Sequence, residues 1–385
     1  MSSRVPIIDL FAGAGGIGVG AVMAGGDLRL SVEMDGVCCK TLALNKKVHP
    51  GEIVQADVTS LDGGALRKKA GLRKDDRLVI VGGPPCQPFS KAAYWLDPGD
   101  DSRYRRARAR GQRAEKPAPI TMARPDERRT LVEVFMDRVA EAGADGFVFE
   151  NVVSITHPRN RHLLAKLLAR ATEYKFETTF IKANAVEYGV PQLRERVFIL
   201  GARASSPVSP TKTHLLPDVA PNGLRAAVTA GDALCGLDAT RFAEPEEVVR
   251  GTWEKEFREV PPGWNYKFLS EWAGHPRPVF EAETRFWNFL LKLSPDRPSW
   301  TIAANPGPWI GPFHWDDRRL RIVEMAALQA FPRGYVFAGS RREKVRQVGN
   351  AAPPLLLKHM IRAVLDAVEG RARPVRRLRR KELRQ

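Results

Sequence analysis

Cysteine is scarce in this 385-residue chain, which has only Cys38, Cys39, Cys86 and Cys235. Four thiols cannot form a disulfide framework for a protein of this size, and no CxxC spacing offers a zinc site. The seven histidines are scattered, with no His-Glu-x-x-His arrangement. Long apolar runs are missing too, since none approaches the roughly 18 residues of a membrane-spanning helix. The N-terminus passes from Met1-Ser2-Ser3-Arg4 straight into the strand-like Val5-Pro6-Ile7-Ile8, without the layout of a signal peptide. These absences set the expectation of a cytoplasmic protein with reduced thiols, no structural metal and no membrane partner. Acidic residues are also in short supply: 44 Asp and Glu face 61 Lys and Arg, leaving a formal net charge of +17. An excess of that size calls for a polyanionic partner, and with no membrane signal the favoured one is nucleic acid.

What is present reads as a large core. Hydrophobic residues make up 43% of the chain, enough for one big domain and a smaller one. Through the first 200 residues, short apolar runs end in glycine or an acidic residue and alternate with helical stretches. Ile7 to Phe11 leads into Ala12-Gly13-Ala14-Gly15-Gly16, Leu28 to Val32 into Glu33-Met34-Asp35, and Ile53 to Ala56 into Asp57. Leu78 to Val81 leads into Gly82-Gly83-Pro84-Pro85-Cys86, Phe147 to Phe149 into Glu150-Asn151, and Val197 to Leu200 into Gly201. This alternation predicts a doubly wound α/β sheet, whose ligands sit at the carboxyl ends of the strands. Leu356, Met360, Val364 and Val368 at spacing four predict an amphipathic helix over 353–368.

Three segments break the rhythm. Residues 91–129 are polar and Arg-rich, and read as a long loop, either a solvated insertion or a basic lid able to close on nucleic acid. From about 205 to 298 the alternation disappears and aromatics are frequent; seven of the eight tryptophans lie between Trp253 and Trp315. That stretch reads as a smaller inserted domain. Residues 1–204 and 299–369 then form the main domain, and 370–385 a basic tail available to phosphates.

Gly13, Gly15 and Gly18 fit a GxGxxG turn after a strand, with Glu33 placed for two ribose hydroxyls and Asp57 for an adenine amino group. Alone these do not separate a nicotinamide cofactor from S-adenosylmethionine. Cys86 stands behind two prolines that fix the backbone and remove donors, so its thiol is presented at a loop mouth. Five blocks follow in order: Phe11 to Gly16, Gly82 to Ser90, Glu150-Asn151-Val152, Gln192 to Arg196, and Gln347 to Pro354. Together they closely resemble the DNA (cytosine-5)-methyltransferase family of the bacterial restriction–modification type. Arg319 to Pro332 resembles a further block of that family.

The resemblance implies an S-adenosylmethionine-dependent, Rossmann-like catalytic domain with an inserted target-recognition domain. It implies Cys86 as the nucleophile at cytosine C6, Glu150 as the acid at N3, Arg196 near O2 and Arg194 nearer the backbone phosphates. For the cofactor it implies Phe11 beside the adenine, Gly13 and Gly15 near the methionine moiety, Glu33 at the ribose, Met34 against the adenine, Asp57 at the adenine amino group, and Asn350 closing the site. The implied partner is double-stranded DNA, with a cognate restriction endonuclease acting separately. The expected protein is a monomer in the cytoplasm, associated with the nucleoid. A tRNA-modifying relative would share these motifs, but it normally lacks a variable segment like the about 95 residues found here. A dehydrogenase would explain only the glycine turn.

Overall fold

Side chains two apart along a strand leave the sheet on the same face, so a run such as Ile7-Ile8 must be covered on both sides. The computed structural model describes residues 4–86, 89, 104, 107, 112–115, 126–219, 223–282 and 285–371, and there both faces are covered. The strands are β1 (Pro6–Leu10), β2 (Asp27–Glu33), β3 (Glu52–Gln55), β4 (Val79–Gly82), β5 (Gly146–Val152), β6 (Glu177–Asn184), β7 (Gln192–Leu193), β8 (Glu195–Ala202) and β9 (Ser299–Trp300). Seven of them form one sheet in the order β3-β2-β1-β4-β5-β8-β6. The pairs from β3 through β5 are parallel, whereas β8 runs antiparallel to both β5 and β6. The doubly wound expectation holds, with an antiparallel end added. The sequence reading passed over β6, whose Phe180-Ile181-Lys182 stretch follows two threonines and is half exposed at the sheet edge.

Helices α1 (Gly16–Met23) and α10 (Pro354–Val368) cover one face. Ile7, Val79, Val81 and Val148 of the sheet pack there with Leu357, Met360, Ile361 and Val364. The helix foreseen over 353–368 therefore starts one residue later, with Pro354 in its first turn, where a missing N–H costs nothing. On the opposite face Ile8, Leu10, Ile80, Phe147 and Phe149 meet α4 (Leu131–Glu141) and α5 (Arg161–Glu173) through Phe135, Met136, Val139, Leu163 and Leu167. The alternation of Ile7 and Ile8 between these two clusters is the period-two pattern of a strand buried on both sides.

A third cluster joins Ala14 and Val19 behind the glycine turn to Ile322, Met325, Leu328, Phe331, Tyr335 and Val348. It seats α8 (Ile322–Leu328) and α9 (Arg341–Asn350) beside the carboxyl end of β1. The fourth is aromatic: Phe257, Tyr266, Phe280, Phe289 and Phe313 pack with Val249, Val260, Leu269 and Leu290. Its rings meet at angles, with Phe257 and Phe313 centroids 4.7 Å apart and Phe280 and Phe289 centroids 5.7 Å apart. This cluster reaches past residue 298 to Phe313, while Ala230 and Leu234 join the third cluster instead. Among the described residues no helix is long and apolar enough to cross a membrane. Most of the 91–129 loop and all of the tail beyond Arg371 lie outside the described residues.

Candidate active site

The carboxyl ends of β1 to β5 open onto one cavity of about 750 Å3. Chain reversal after β1 forces an unusual backbone: Phe11, Gly13 and Gly15 all have positive φ, at 60°, 53° and 87°. Glycine adopts this freely, whereas a phenylalanine held there stores roughly 1–3 kcal/mol of strain. The turn is also crowded. A Cβ on Gly16 would stand 2.2 Å from the Ala352 carbonyl oxygen, so only glycine lets the C-terminal block close against the start of α1. Tyr335 fixes the same turn by donating its hydroxyl proton to the Ala14 carbonyl at 2.7 Å.

Glu33 ends β2 on the cavity wall. One of its carboxylate oxygens accepts the Gly13 N–H and the other the Asp35 N–H, each at 2.7 Å. These bonds hold the carboxylate in place and leave each oxygen a further lone pair to accept with. Asp57, past the end of β3, is exposed and accepts the Thr59 N–H at 2.9 Å. Phe11, Gly13, Met34 and Asn350 line the same cavity. Met34 is 67% exposed and stands at the rim. Gly15 is not on the wall; it opens α1, and a Cβ there would meet Leu42 and the Tyr335 hydroxyl, both at 2.7 Å. Its contribution in this structure is to the turn that places Gly13 on the wall. Arg346 and Asp35 form an ion pair at 2.6 Å on the cavity wall.

Cys86 and Glu150 share that cavity, on the side of β4 and β5. Gly83 lies against the acid, since a Cβ on it would be 2.8 Å from Glu150 Oε2. Asn151 Nδ2 donates to the Pro84 carbonyl at 3.2 Å, tying the Glu-Asn-Val block to the Pro-Pro-Cys loop. Glu150 is 9% exposed, and burial pushes its pKa above the ordinary carboxylate value against the pull of Arg196 and Arg194. Arg196 Nε reaches Glu150 Oε1 at 2.9 Å, and β8 places it there by pairing Arg196 with Val152 across the sheet. Burial also raises the Cys86 thiol, while the Arg196 charge pulls it back down. A half-buried thiol, a buried carboxyl and the guanidinium that holds that carboxyl thus stand together. Low local dielectric favours the neutral acid, and the cation offsets any negative charge that develops.

Arg194 departs from expectation. It is 1% exposed, and its guanidinium donates to the carbonyls of Gly349 at 2.7 Å and Ala351 at 3.0 Å. Burial drives its pKa well below the usual arginine value. A phosphate contact is closed to it; Arg194 is a strut between β8 and the segment that carries Asn350. The "Arg-x-Arg" spacing gave no sign of this, because it suggests two arginines on one strand face, whereas Arg194 falls at the break between β7 and β8 and packs inward under the C-terminal block.

Sequence reasoning also missed Glu127, Arg128, Thr130 and Leu131, which line the cavity from the far side. Glu127 and Arg128 fall at the end of the 91–129 loop, and nothing in the sequence ties Thr130 and Leu131 to a cavity. Behind the glycine turn lies a buried polar group. Asp9 is fully buried, with its pKa raised by burial and then by Glu33, and His49 is pushed down to about 4 by burial. His49 Nε2 stands 3.2 Å from Ser31 Oγ.

A seven-stranded sheet with an antiparallel end, opening onto a cavity at the strands' carboxyl ends, is the Rossmann-like fold of S-adenosylmethionine-dependent methyltransferases. The fold is shared with a prophage-encoded E. coli protein assigned as a DNA modification methyltransferase, at a TM-score of 0.64 and 20% identity over 95% of this chain and all of that one. It is shared also with the Dnmt2 methyltransferase of S. pombe, at a TM-score of 0.51 and 14% identity over 94% and 99% of the two chains. The family model for C-5 cytosine-specific DNA methylase matches residues 5–106 and 121–366, and the chain belongs to that family. It is 32% identical to the Type II methyltransferase M.SacI of Streptomyces achromogenes over 95% of this chain and 94% of that protein. It is 28% identical to the Type II methyltransferase M1.HphI of Haemophilus parahaemolyticus, over 93% and 86% of the two chains.

Proposed function

We propose that this enzyme methylates C5 of a cytosine extruded from a specific duplex DNA sequence, by way of a covalent Cys86–C6 adduct. The observation that carries the reading is the contact of Arg196 with the buried Glu150 at 2.9 Å, beside Cys86 on the wall of the acid-lined cavity. Cytosine C5 is a weak nucleophile, and addition of a thiolate at C6 turns it into an enamine-like one. Cys86 supplies that thiolate, and Arg196 favours it. As Cys86 Sγ bonds to C6, negative charge spreads from C5 towards N3 and O2. Glu150, whose neutral form burial favours, holds a proton at N3, and Arg196 faces the charge at O2. Once C5 carries its new methyl group it gives up its proton, the Sγ–C6 bond breaks, and the thiolate returns.

The cavity fits S-adenosylmethionine, which when bound supplies the sulfonium methyl group. Its volume lies in the range of small-molecule sites. Glu33 is fixed for a ribose diol, Asp57 for an amino group, and Phe11, Met34 and Val58 offer apolar surface. Gly13 leaves backbone close to the ligand, and Asn350 borders it from α9.

Reaching C6 requires the base to leave the stack, at a cost of roughly a few kcal/mol. The basic segment 91–129 is proposed as the lid over the extruded base, and residues 205–298 as the target-recognition domain. The Type II relatives favour a protective methyl mark against a separately acting restriction endonuclease, in the cytoplasm and at the nucleoid. The test is transfer of labelled methyl from S-adenosylmethionine to duplex DNA of diverse sequence, followed by mapping of the product and trapping on 5-fluorocytosine DNA. Methylation at C5 in one short sequence, with a covalent complex absent in Cys86→Ala, supports the reading. Transfer without a trapped complex refutes the covalent route.

A further inference from the structure

Two indoles stand in solvent beside the strand that leads to Arg196. Trp287 is 48% and Trp300 39% exposed, and their rings meet edge to face with centroids 4.4 Å apart. Tryptophan is the side chain with most to gain from burial, so two adjacent indoles left half in water suit a face that is covered only in a complex. Their backbone is well anchored. Trp300 on β9 pairs with Leu193 on β7, Thr301 Oγ1 donates to the Leu193 carbonyl at 2.6 Å, and the Ser299 N–H donates to the Pro191 carbonyl at 2.9 Å. On the other side Asn265 Nδ2 donates to the Trp287 carbonyl at 2.6 Å. The rings are therefore presented on a fixed backbone.

Their position relative to the chemistry follows from chain geometry. Three residues lead from Leu193 to Arg196, the residue that touches Glu150. At no more than about 3.6 Å per residue, plus roughly 4.8 Å between paired strands, the Trp300 Cα lies within about 16 Å of the Arg196 Cα. That is the length of about five base pairs.

We propose that Trp287 and Trp300 form a stacking platform for a nucleobase of the bound duplex that loses a stacking neighbour when the target cytosine is extruded, distinct from that cytosine. The inference rests on the reading of this chain as a DNA methyltransferase. Duplex DNA is the committed occupant because the chain carries a net charge of +17, which draws a polyanion and opposes a second copy of itself. An indole face takes any base, since every base has a π face. The platform thus adds affinity near the target while leaving sequence readout to other contacts.

The test uses the full chain and a short fluorescent duplex holding the site that the wild-type enzyme methylates. Trp300→Ala is expected to weaken duplex binding roughly tenfold by anisotropy, with an unchanged KM for S-adenosylmethionine. Trp300→Phe, which keeps a ring, stays within about threefold of wild type. Trp287→Ala and photocrosslinking of 5-iododeoxyuridine duplexes to the unmodified chain cover the case in which Trp300→Ala fails to fold. A cross-link mapped to Trp287 or Trp300 supports the platform. Unaltered duplex affinity in both alanine variants, with no such cross-link, overturns it while wild-type transfer to DNA stands. A weakened variant whose wild-type parent sediments as a dimer and the variant as a monomer also overturns it, in favour of contact between copies. If the wild-type chain transfers methyl to no duplex at all, the underlying reading fails first.

Discussion

Replacing Arg196 with methionine removes the cation that faces Glu150 and keeps most of the side-chain volume. For unit charges 2.9 Å apart, Coulomb's law at an effective dielectric of about 20 gives roughly 6 kcal/mol. The two side chains are 12% and 11% exposed, so solvent screens the pair only partly. Keeping half of the attraction, to allow for relaxation and water entry, leaves about 3 kcal/mol, or roughly two pH units at 1.36 kcal/mol each. The sign follows from the carboxyl. Burial already holds the Glu150 pKa above its ordinary value, so the folded state keeps this proton better than the unfolded chain. The contribution favours folding at low pH and is lost as pH rises from the ordinary value to the folded one. Without Arg196 that loss continues to higher pH. Urea unfolding at pH 5 and pH 8 measures it: Arg196→Met should lose about 3 kcal/mol more than wild type between the two conditions. An equal loss at both pH values would falsify the electrostatic coupling of Arg196 to Glu150. Methyl transfer by the variant should fall about 100- to 1,000-fold, since a charge aimed at the developing oxyanion is removed.

Arg194→Met should destabilise the fold by about 1–3 kcal/mol, because it leaves the Gly349 carbonyl without its donor and the Ala351 carbonyl with only the longer bond from Gln329; thermal denaturation that matches wild type would refute the strut. Gly16→Ala places a methyl 2.2 Å from the Ala352 oxygen, and should weaken S-adenosylmethionine binding at least tenfold by calorimetry. Alkylation of Cys86 in a Cys235→Ser background should need more alkaline pH in Arg196→Met than in the parent, since the Arg196 charge draws the thiol down; an unchanged profile would show that the guanidinium does not act on the thiolate. Duplex affinity should fall with salt on a log–log slope of about −0.9 per phosphate neutralised, and a flat response would assign the basic surplus elsewhere.

Much of the molecule could be read from residue order alone. Strands β1 to β5 and β8 were legible because each is an apolar run closed by glycine or acid, and α10 because its core residues recur every four positions. Strand β6 was not, since at the sheet edge its exposed residues dilute the apolar pattern. Cys86, Glu150, Arg196, Glu33 and Asp57 were named from chemistry and block order, since only certain side chains add to a ring, hold its proton or take a ribose. The sequence by itself determined which groups are present, and that they fall at strand ends. Only tertiary structure decided what each one faces. Arg194 and Arg196 differ by two positions, yet one is sealed under the Gly349–Ala351 carbonyls and the other meets the acid. Gly15 bends the chain while Gly13 lines the cavity, and Arg128 borders a site from which it is 42 residues distant from Cys86 in number. Burial, register and the closure of distant segments set those outcomes, and none of them is a property of a residue and its near neighbours in sequence.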